Sequence, residues 1–370
     1  MKSKFILFIS IALILLAAAH ASIYEMLVSV FSITSSSPLI ILGIVLGFLT
    51  VGFISLSVII RFRNTIITRI LYPLFAVWLG FFLYLFMASV LYWIVLGIGS
   101  TFFVSMGFFI VFGKILILAA VITSIAGIVQ ARTIRVTHYN VTLKNLPDSW
   151  KGKKIGFISD IHLGQIYDAQ FAEKVTNHLN ALKPDIIFIG GDLFDGVAVD
   201  IKMAVAPFQK LVSKLGTYFI TGNHEEMGDE TKYTSEIKNI GISVLNNKCV
   251  TIEGLQIIGV DYRDTRNEAL FKSVIGAIPF DKTMPSILLK HVPSHLNVAE
   301  EAGIDLQFSG HTHRAQLFPF NFISHAVYHG FDYGLHSLKL MQVITSSGIG
   351  SWGPPLRVGS RSEIVVVTLQ

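Results

Sequence analysis

Five short polar motifs are spread between residues 160 and 313: Asp160-Ile-His162, Gly191-Asp192-Leu-Phe-Asp195, Gly222-Asn223-His224-Glu225, a lone His291, and Gly310-His311-Thr312-His313. Mixed ligation by carboxylate, amide oxygen and imidazole suits Mn²⁺, Fe or Zn²⁺ better than Ca²⁺. Together the motifs supply enough donors for a two-metal hydrolytic centre, with one residue left over for proton chemistry. Two metals about 3.5–4 Å apart can clamp a phosphoryl group and activate a water. A position bridging them calls for a carboxylate, because only that group offers two anionic oxygens to two cations. Each motif alone has a plainer reading. Gly-Asp marks turns, and Gly-Asn-His-Glu suits the start of a helix. Their joint presence, in this order, is what points to a metal centre.

Loops at the ends of strands must bring these motifs together. Lys154–Ser159, Asp185–Ile189, Thr217–Ile220, Ser286–Lys290 and Asp305–Ser309 are short apolar runs that read as buried strands. Gln170–Leu182, Ile201–Lys214, Thr231–Ile240 and His295–Ala302 are amphipathic and read as helices. Lys183-Pro184-Asp185 is a helix stop, and Glu363–Leu369 reads as a terminal strand. Asp160, Gly191-Asp192, Gly222-Asn223, His291 and Gly310-His311 each follow one of the five strands. The carboxyl ends of buried strands are where sheet enzymes gather polar groups.

The motif set resembles the calcineurin-like metallophosphoesterase superfamily over residues 136–370. The ending Ser347-Gly348-Ile349-Gly350 with Pro355-Leu356-Arg357 is most similar to its membrane-associated bacterial branch. The resemblance implies an α/β fold, with two mixed β-sheets packed face to face and flanked by helices. It implies that Asp160, His162, Asp192 and His313 hold one metal. Asp192 then bridges to a second metal completed by Asn223, His291 and His311. His224 is assigned to proton transfer, with Glu225 orienting its imidazole or a metal water. Asp195 is expected to support a ligand from behind, and Arg357 to grip a substrate phosphate.

The N-terminal third is of a different kind. The chain is 52% hydrophobic and 14% charged, too apolar for an ordinary soluble protein. Apolar runs at about Phe5–Ala19, Leu39–Ile60, Leu71–Leu96 and Thr101–Val129 predict an all-α transmembrane region over residues 1–132. The first run ends in Ala19-His20-Ala21, which is similar to a signal-peptide cleavage site, but it is read as an uncleaved first span. Lys2 and Lys4, then Arg61, Arg63 and Arg69, then Arg132 and Arg135 fall on one side of four crossings. By the positive-inside rule the catalytic domain is then cytoplasmic. Gly43 and Gly47 are candidates for close helix packing, and Lys114 is a charge expected near the middle of the fourth span.

The first 130 residues hold six basic side chains and one acid, whereas the rest hold 23 of each. The basic pI therefore belongs to the membrane part, and no nucleic-acid partner is expected. Cys249 is the only cysteine, so no intramolecular disulfide forms. The expected activity is hydrolysis of a phosphoester or pyrophosphate bond, with a lipid-linked phosphate as a candidate substrate. The alternatives are a tethered phosphodiesterase for soluble nucleotides and a non-catalytic, metal-containing membrane sensor.

Overall fold

Four helices fill the N-terminal third of the computed structural model: α1 (Lys2–Phe31), α2 (Ser36–Phe62), α3 (Ile66–Thr101) and α4 (Met106–Arg132). All four are long and apolar enough to cross a membrane. The structure describes residues 2–62, 65–196 and 200–370; Arg63, counted above in the basic link, lies outside the described residues. The chain divides into a helical unit, Met1–Val129 with Gly353–Leu356, and a second unit, Gln130–Trp352 with Arg357–Gln370.

In the helical unit the sequence boundaries shift. The run read as Phe5–Ala19 is the start of a longer helix that passes through Ala19-His20-Ala21 to Phe31. His20 is tolerated because both ring nitrogens are satisfied: Nδ1–H donates to the Leu16 carbonyl (2.9 Å), and Nε2 accepts from the Trp78 indole (3.1 Å). Ser22 meets Ser89 at 3.0 Å and Ser29 meets Tyr92 at 2.7 Å, so hydroxyl pairs tie α1 to α3. The close helix approach is not at Gly47, where a Cβ would meet nothing within 4 Å. It is at Gly52, where a Cβ would overlap the Phe75 ring. Lys114 also lies away from the helix centre. It is exposed and in the first third of α4, which shortens the path its ammonium must snorkel.

The second unit is built on two six-stranded sheets. The first contains β1 (Arg135–Val141), β2 (Lys154–Ile158), β3 (Ile186–Ile189), β4 (Thr217–Phe219), β5 (Ser243–Val244) and the last strand, β12 (Glu363–Leu369). The second contains β6 (Lys248–Ile252), β7 (Leu255–Gly259), β8 (Ser286–Leu289), β9 (Leu306–Ser309), β10 (Gly334–Leu338) and β11 (Met341–Thr345). Their orders are β1-β12-β2-β3-β4-β5 and β10-β11-β9-β8-β7-β6. Both are mixed: β2, β3, β4 and β5 run parallel, as do β7, β8, β9 and β11, while β12 is antiparallel to β2.

Helices cover the outer faces. They are α5 (Ala169–Leu182), α6 (Ile201–Val205), α7 (Asn223–Met227), α8 (Glu230–Asn239), α9 (Glu268–Ala277), α10 (Leu296–Ala302) and α11 (Asn321–Val327). Val175 and Leu179 of α5 and Ile237 of α8 pack on the first sheet, and Phe271, Ile275 and Ala299 of α9 and α10 on the second. Between the sheets lie Ile155, Phe157 and Phe188 from one and Ile257, Leu289 and Phe308 from the other. This is the helix-flanked pair of mixed sheets that the sequence predicts.

Ile201–Lys214 is not one helix. α6 stops at Val205 and a 3₁₀ turn follows over Ala206–Lys210, because Pro207 cannot donate the next helical hydrogen bond. The strands β1, β6 and β10 have alternating or half-exposed patterns rather than apolar runs, and no strand is expected there. The two-residue β5 and the largely buried β7 and β11 are not expected either.

The Phe308 ring meets Phe157 at 5.0 Å and Phe188 at 5.7 Å between centroids, so it pins the two sheets together. Phe308→Ala should cost about 3–5 kcal/mol of stability, read as a lower unfolding midpoint. A midpoint unchanged from wild type would show that the intersheet core does not depend on this ring.

Candidate metal centre

The parallel strands deliver the motifs to one place. Asp160 and His162 follow β2, Asp192 follows β3, and Asn223 and His224 open α7 after β4. From the other sheet, His291 follows β8, and His311 and His313 follow β9. The chain must turn sharply at each exit. Asp160, His162, Asp192, His311 and His313 all have positive φ, between 48° and 70°. Such conformations cost non-glycine residues about 1–3 kcal/mol each and cluster at functional sites. Gly191, with φ of 92°, leaves no room for a side chain: a Cβ would lie 2.7 Å from His291 Nδ1 and 2.8 Å from the Gly222 amide.

Two sets of acceptor atoms result. In the first, His162 Nε2 lies 3.0 Å from His313 Nε2, which is 3.6 Å from Asp160 Oδ1. In the second, His291 Nε2 lies 3.2 Å from both Asp192 Oδ2 and Asn223 Oδ1. Ligand atoms of Asp192, His291 and His311 all fall within 4.8 Å of one another, as do those of Asp160, His162 and His313. The second set carries a specific demand. His291 Nδ1–H donates to the Gly190 carbonyl at 2.7 Å, which leaves Nε2 facing two oxygens; against burial, the Asp192 and Asp160 carboxylates lift this imidazole to about 9. The oxygens around Nε2 thus call for a positive charge, which a proton on His291 or a metal cation can supply. The donor set therefore fits a metal ion.

Burial makes this demand stronger. Asp160, Asp192, His162 and His291 are each no more than 2% exposed. Burial alone would raise the Asp192 carboxyl, but the neighbouring imidazoles, His291 first, hold it well below the usual carboxylate range. Burial lifts Asp160 to about 6. His162 and His313 are pushed well below the usual imidazole value by burial and by their neighbours, and His311 to about 3. His162, His311 and His313 thus stay neutral, the form that binds metals, whereas the Asp192 carboxylate lifts His291 to about 9 and a metal would have to displace its proton.

The surrounding residues depart from expectation in two places. Glu225 does not face the His224 imidazole. Its fully buried carboxylate accepts from the amides of Asp192 (2.9 Å), Phe194 (3.1 Å) and Gly222 (2.7 Å), which clamps the β3 loop to the start of α7. Arg357 does not meet substrate. It is 0% exposed, and its guanidinium donates to the carbonyls of Gly348, Gly350 and Arg361, to Ser360 Oγ and to His313 Nδ1. Asp195 lies 3.7 Å from both His162 Nδ1 and His224 Nδ1, behind the two rings, and burial with Asp192 nearby lifts it to about 8. The His224 amide donates to Asp192 Oδ1 at 2.8 Å, and its ring stands against His162 at 4.5 Å.

His178, His295, His325, His329 and His336 stay outside the cluster. Sequence reasoning missed three aromatic neighbours: Trp352 (6.1 Å from the His224 ring), Tyr262 (6.1 Å from His291) and Tyr328 (6.5 Å from His311). No motif marks them, since their place at the site comes only from folding. It also missed Lys290, which is fully buried beside His291 and donates to the Val292 carbonyl at 2.7 Å and to Ser294 Oγ at 3.1 Å.

Glu225→Ala leaves three buried amides without an acceptor, at about 1–3 kcal/mol each. Metal content and unfolding midpoint should fall together, and an undiminished metal content would rule out the clamp. Below about pH 6 a proton competes for Asp160, so calorimetric Mn²⁺ affinity should be weaker at pH 5.5 than at 7.5. Equal affinity at both would exclude Asp160 as a ligand.

Comparison with known proteins agrees with this geometry. A family model described as calcineurin-like phosphoesterase matches residues 153–315. A metallophosphoesterase of Campylobacter jejuni is 32% identical over 70% of this chain and 70% of its own length. A transmembrane protein with metallophosphoesterase domain from Bos taurus is 34% identical over 68% of this chain, and a metallophosphoesterase of Helicobacter pylori is 32% identical over 59%. The chain spans 62% and 60% of the length of those two relatives. Among solved structures, the anchor in the inner membrane complex of Plasmodium overlaps 58% of this chain and 80% of its own, at 12% identity and a TM-score of 0.35, too low to argue from. On the family match and the Campylobacter relative together, the chain belongs to the calcineurin-like metallophosphoesterases.

Proposed function

We propose that this protein is a membrane-anchored phosphoesterase that uses two divalent cations to hydrolyse a phosphoester or pyrophosphate bond of a lipid-linked substrate. The observation that carries the reading is the pair of buried clusters, Asp160 with His162 and His313 and Asp192 with His291 and His311, with His162 and Asp192 close enough to link them. Asp160, His162, Asp192 and His313 would hold one cation, and Asp192, Asn223, His291 and His311 the other. Mn²⁺, Fe and Zn²⁺ all suit these donors. When bound, the cations supply Lewis acidity toward phosphoryl oxygens and the means to activate water.

The chain's own residues do the rest. Asp195 lies behind His162 and His224, 3.7 Å from each Nδ1, where its carboxyl can orient both rings so that each Nε2 faces the site. His224 is 5% exposed and beside Asp192; burial holds its imidazole below the usual value, so it has to gain a proton when substrate binds before handing one to the leaving oxygen. Two divalent ions outweigh the two ligand carboxylates, which favours an anionic substrate. The balanced charge of residues 131–370 weighs against nucleic acid. The four apolar helices hold the enzyme in a membrane, and the basic span ends support a cytoplasmic catalytic domain. A phosphate carried by a membrane lipid is the substrate this location favours.

The full-length protein with Mn²⁺ should release p-nitrophenol from bis-p-nitrophenyl phosphate or p-nitrophenyl phosphate, and the preferred compound separates diesterase from monoesterase. His224→Ala should keep its metal and lose about 10²- to 10⁴-fold in rate, whereas Asp192→Asn should lose both. Near-normal turnover by metal-replete His224→Ala would remove His224 from the mechanism. Inert, fully loaded wild-type protein would leave a strictly lipid-linked substrate or a sensor, and failure to hydrolyse any component of a lipid extract would then sink the phosphoesterase reading. A reporter fused after Gln370 that is active only outside the cell would reverse the orientation.

A further inference from the structure

α11 is inside out. On a surface helix of a soluble domain the apolar side faces the core and the polar side faces water. In α11 the buried position is Ser324, while Phe322, Ile323 and Val327 are 65%, 60% and 61% exposed. The inward groups gain little from burial, since neither Asn321 Oδ1 nor Ser324 Oγ has a hydrogen-bond partner. Phe318, just before the helix, is also exposed. Large apolar surfaces left open in this way mark contacts with a partner or a membrane.

This surface is continuous with the metal centre. The chain runs from His313 through Gln316 into α11 and leaves it at Tyr328, 6.5 Å from the His311 ring. The Gln316 amide exchanges two hydrogen bonds with the Trp352 backbone, at 2.9 and 3.1 Å. Trp352 is 61% exposed and stands against His224. Exposed tryptophan is typical of the membrane–water boundary.

The occupant follows from the chain itself. Four helices fit to cross a bilayer precede the domain, and only Thr133 and Ile134 separate α4 from β1. The final turn of α4 is held within the catalytic unit, where Ser362 Oγ donates to the Ala131 carbonyl (2.7 Å) and Lys174 Nζ to that of Arg132 (2.7 Å). The link between the last apolar helix and the domain is thus two residues long. A short helix with an outward apolar face, working there, has lipid as its natural neighbour.

We propose that Phe318, Phe322, Ile323, Val327 and Trp352 seat in the headgroup–acyl boundary of the bilayer, so that a lipid phosphate meets the metal centre without leaving its leaflet. The delivery of substrate rests on the phosphoesterase reading; the membrane contact does not.

The test uses the full-length protein in phosphatidylcholine–phosphatidylglycerol nanodiscs, in which both faces are accessible. In a Cys249→Ser background, Ile323→Cys, Val327→Cys and the exposed control Thr231→Cys each carry a fluorophore. An unfolding midpoint equal to that of the unlabelled protein reports on folding, and hydrolysis of bis-p-nitrophenyl phosphate is read separately. Doxyl-labelled lipid should quench positions 323 and 327 several-fold more than 231, and iodide should quench them less. Iodide quenching equal to that at 231 overturns the proposal. Protection from both quenchers means that protein, such as a second copy of the chain, covers the helix, and overturns it as well. Lipid quenching in a protein that hydrolyses nothing keeps the membrane seat and overturns the delivery of substrate.

Discussion

Two carboxylates, a carboxamide and four imidazoles turn lone pairs toward one another in a region nearly closed to water. Without cations the arrangement is costly twice over. Burial strips the polar groups of water, and Asp160, Asp192, His162, His311 and His313 sit in left-handed backbone conformations that side chains rarely adopt. Neither cost persists in a folded protein unless the surroundings over-determine it. Glu225 is one such restraint, a buried carboxylate that spends itself on three amides and so fixes the Asp192 loop against α7. Arg357 is another, a buried guanidinium that gathers the carbonyls of Gly348 and Gly350 beneath His313.

The sheets answer the same constraint at a larger scale. Parallel strands release their loops at one edge, and each sheet contributes part of the ligand set. The contacts that knit the halves are themselves at the centre. The His311 amide donates to the Asp160 carboxylate at 3.0 Å, and His291 reaches across to the Gly190 carbonyl. A shift of one sheet over the other would break these bonds and separate the ligand sets. The aromatic packing of Phe157, Phe188 and Phe308 between the sheets thus serves geometry as well as stability.

Outside the centre, polarity is distributed by what each surface meets. The four N-terminal helices expose Ile, Leu and Phe and pair their hydroxyls internally. α11 repeats that inverted pattern within the catalytic unit, at the margin of the metal centre. Where α5 and α8 follow the ordinary rule, α11 breaks it, and a broken local rule beside a site is where function is to be sought.

The membrane spans, six of the strands and the ligand-type motifs were legible because each rests on local chemistry: apolar runs long enough for a span or a buried strand, and donor residues placed just after those strands. The two-sheet architecture came only through the resemblance that the motifs carry. At Gly222-Asn223-His224-Glu225 the plainer reading, a helix start, and the ligand reading are compatible: α7 begins there and also presents the candidate ligand Asn223. The roles of Glu225 and Arg357 were not legible. A carboxylate or guanidinium in a motif looks the same whether its partners are a substrate or buried backbone, and only packing decides that. The inversion of α11 was equally hidden, since a seven-residue stretch rich in Phe, Ile and Val gives no sign of which side the core will take. Sequence determined which atoms were available near the centre. The tertiary structure decided which of them remain unspent, because hydrogen-bond satisfaction and burial are properties of neighbours that are distant along the chain.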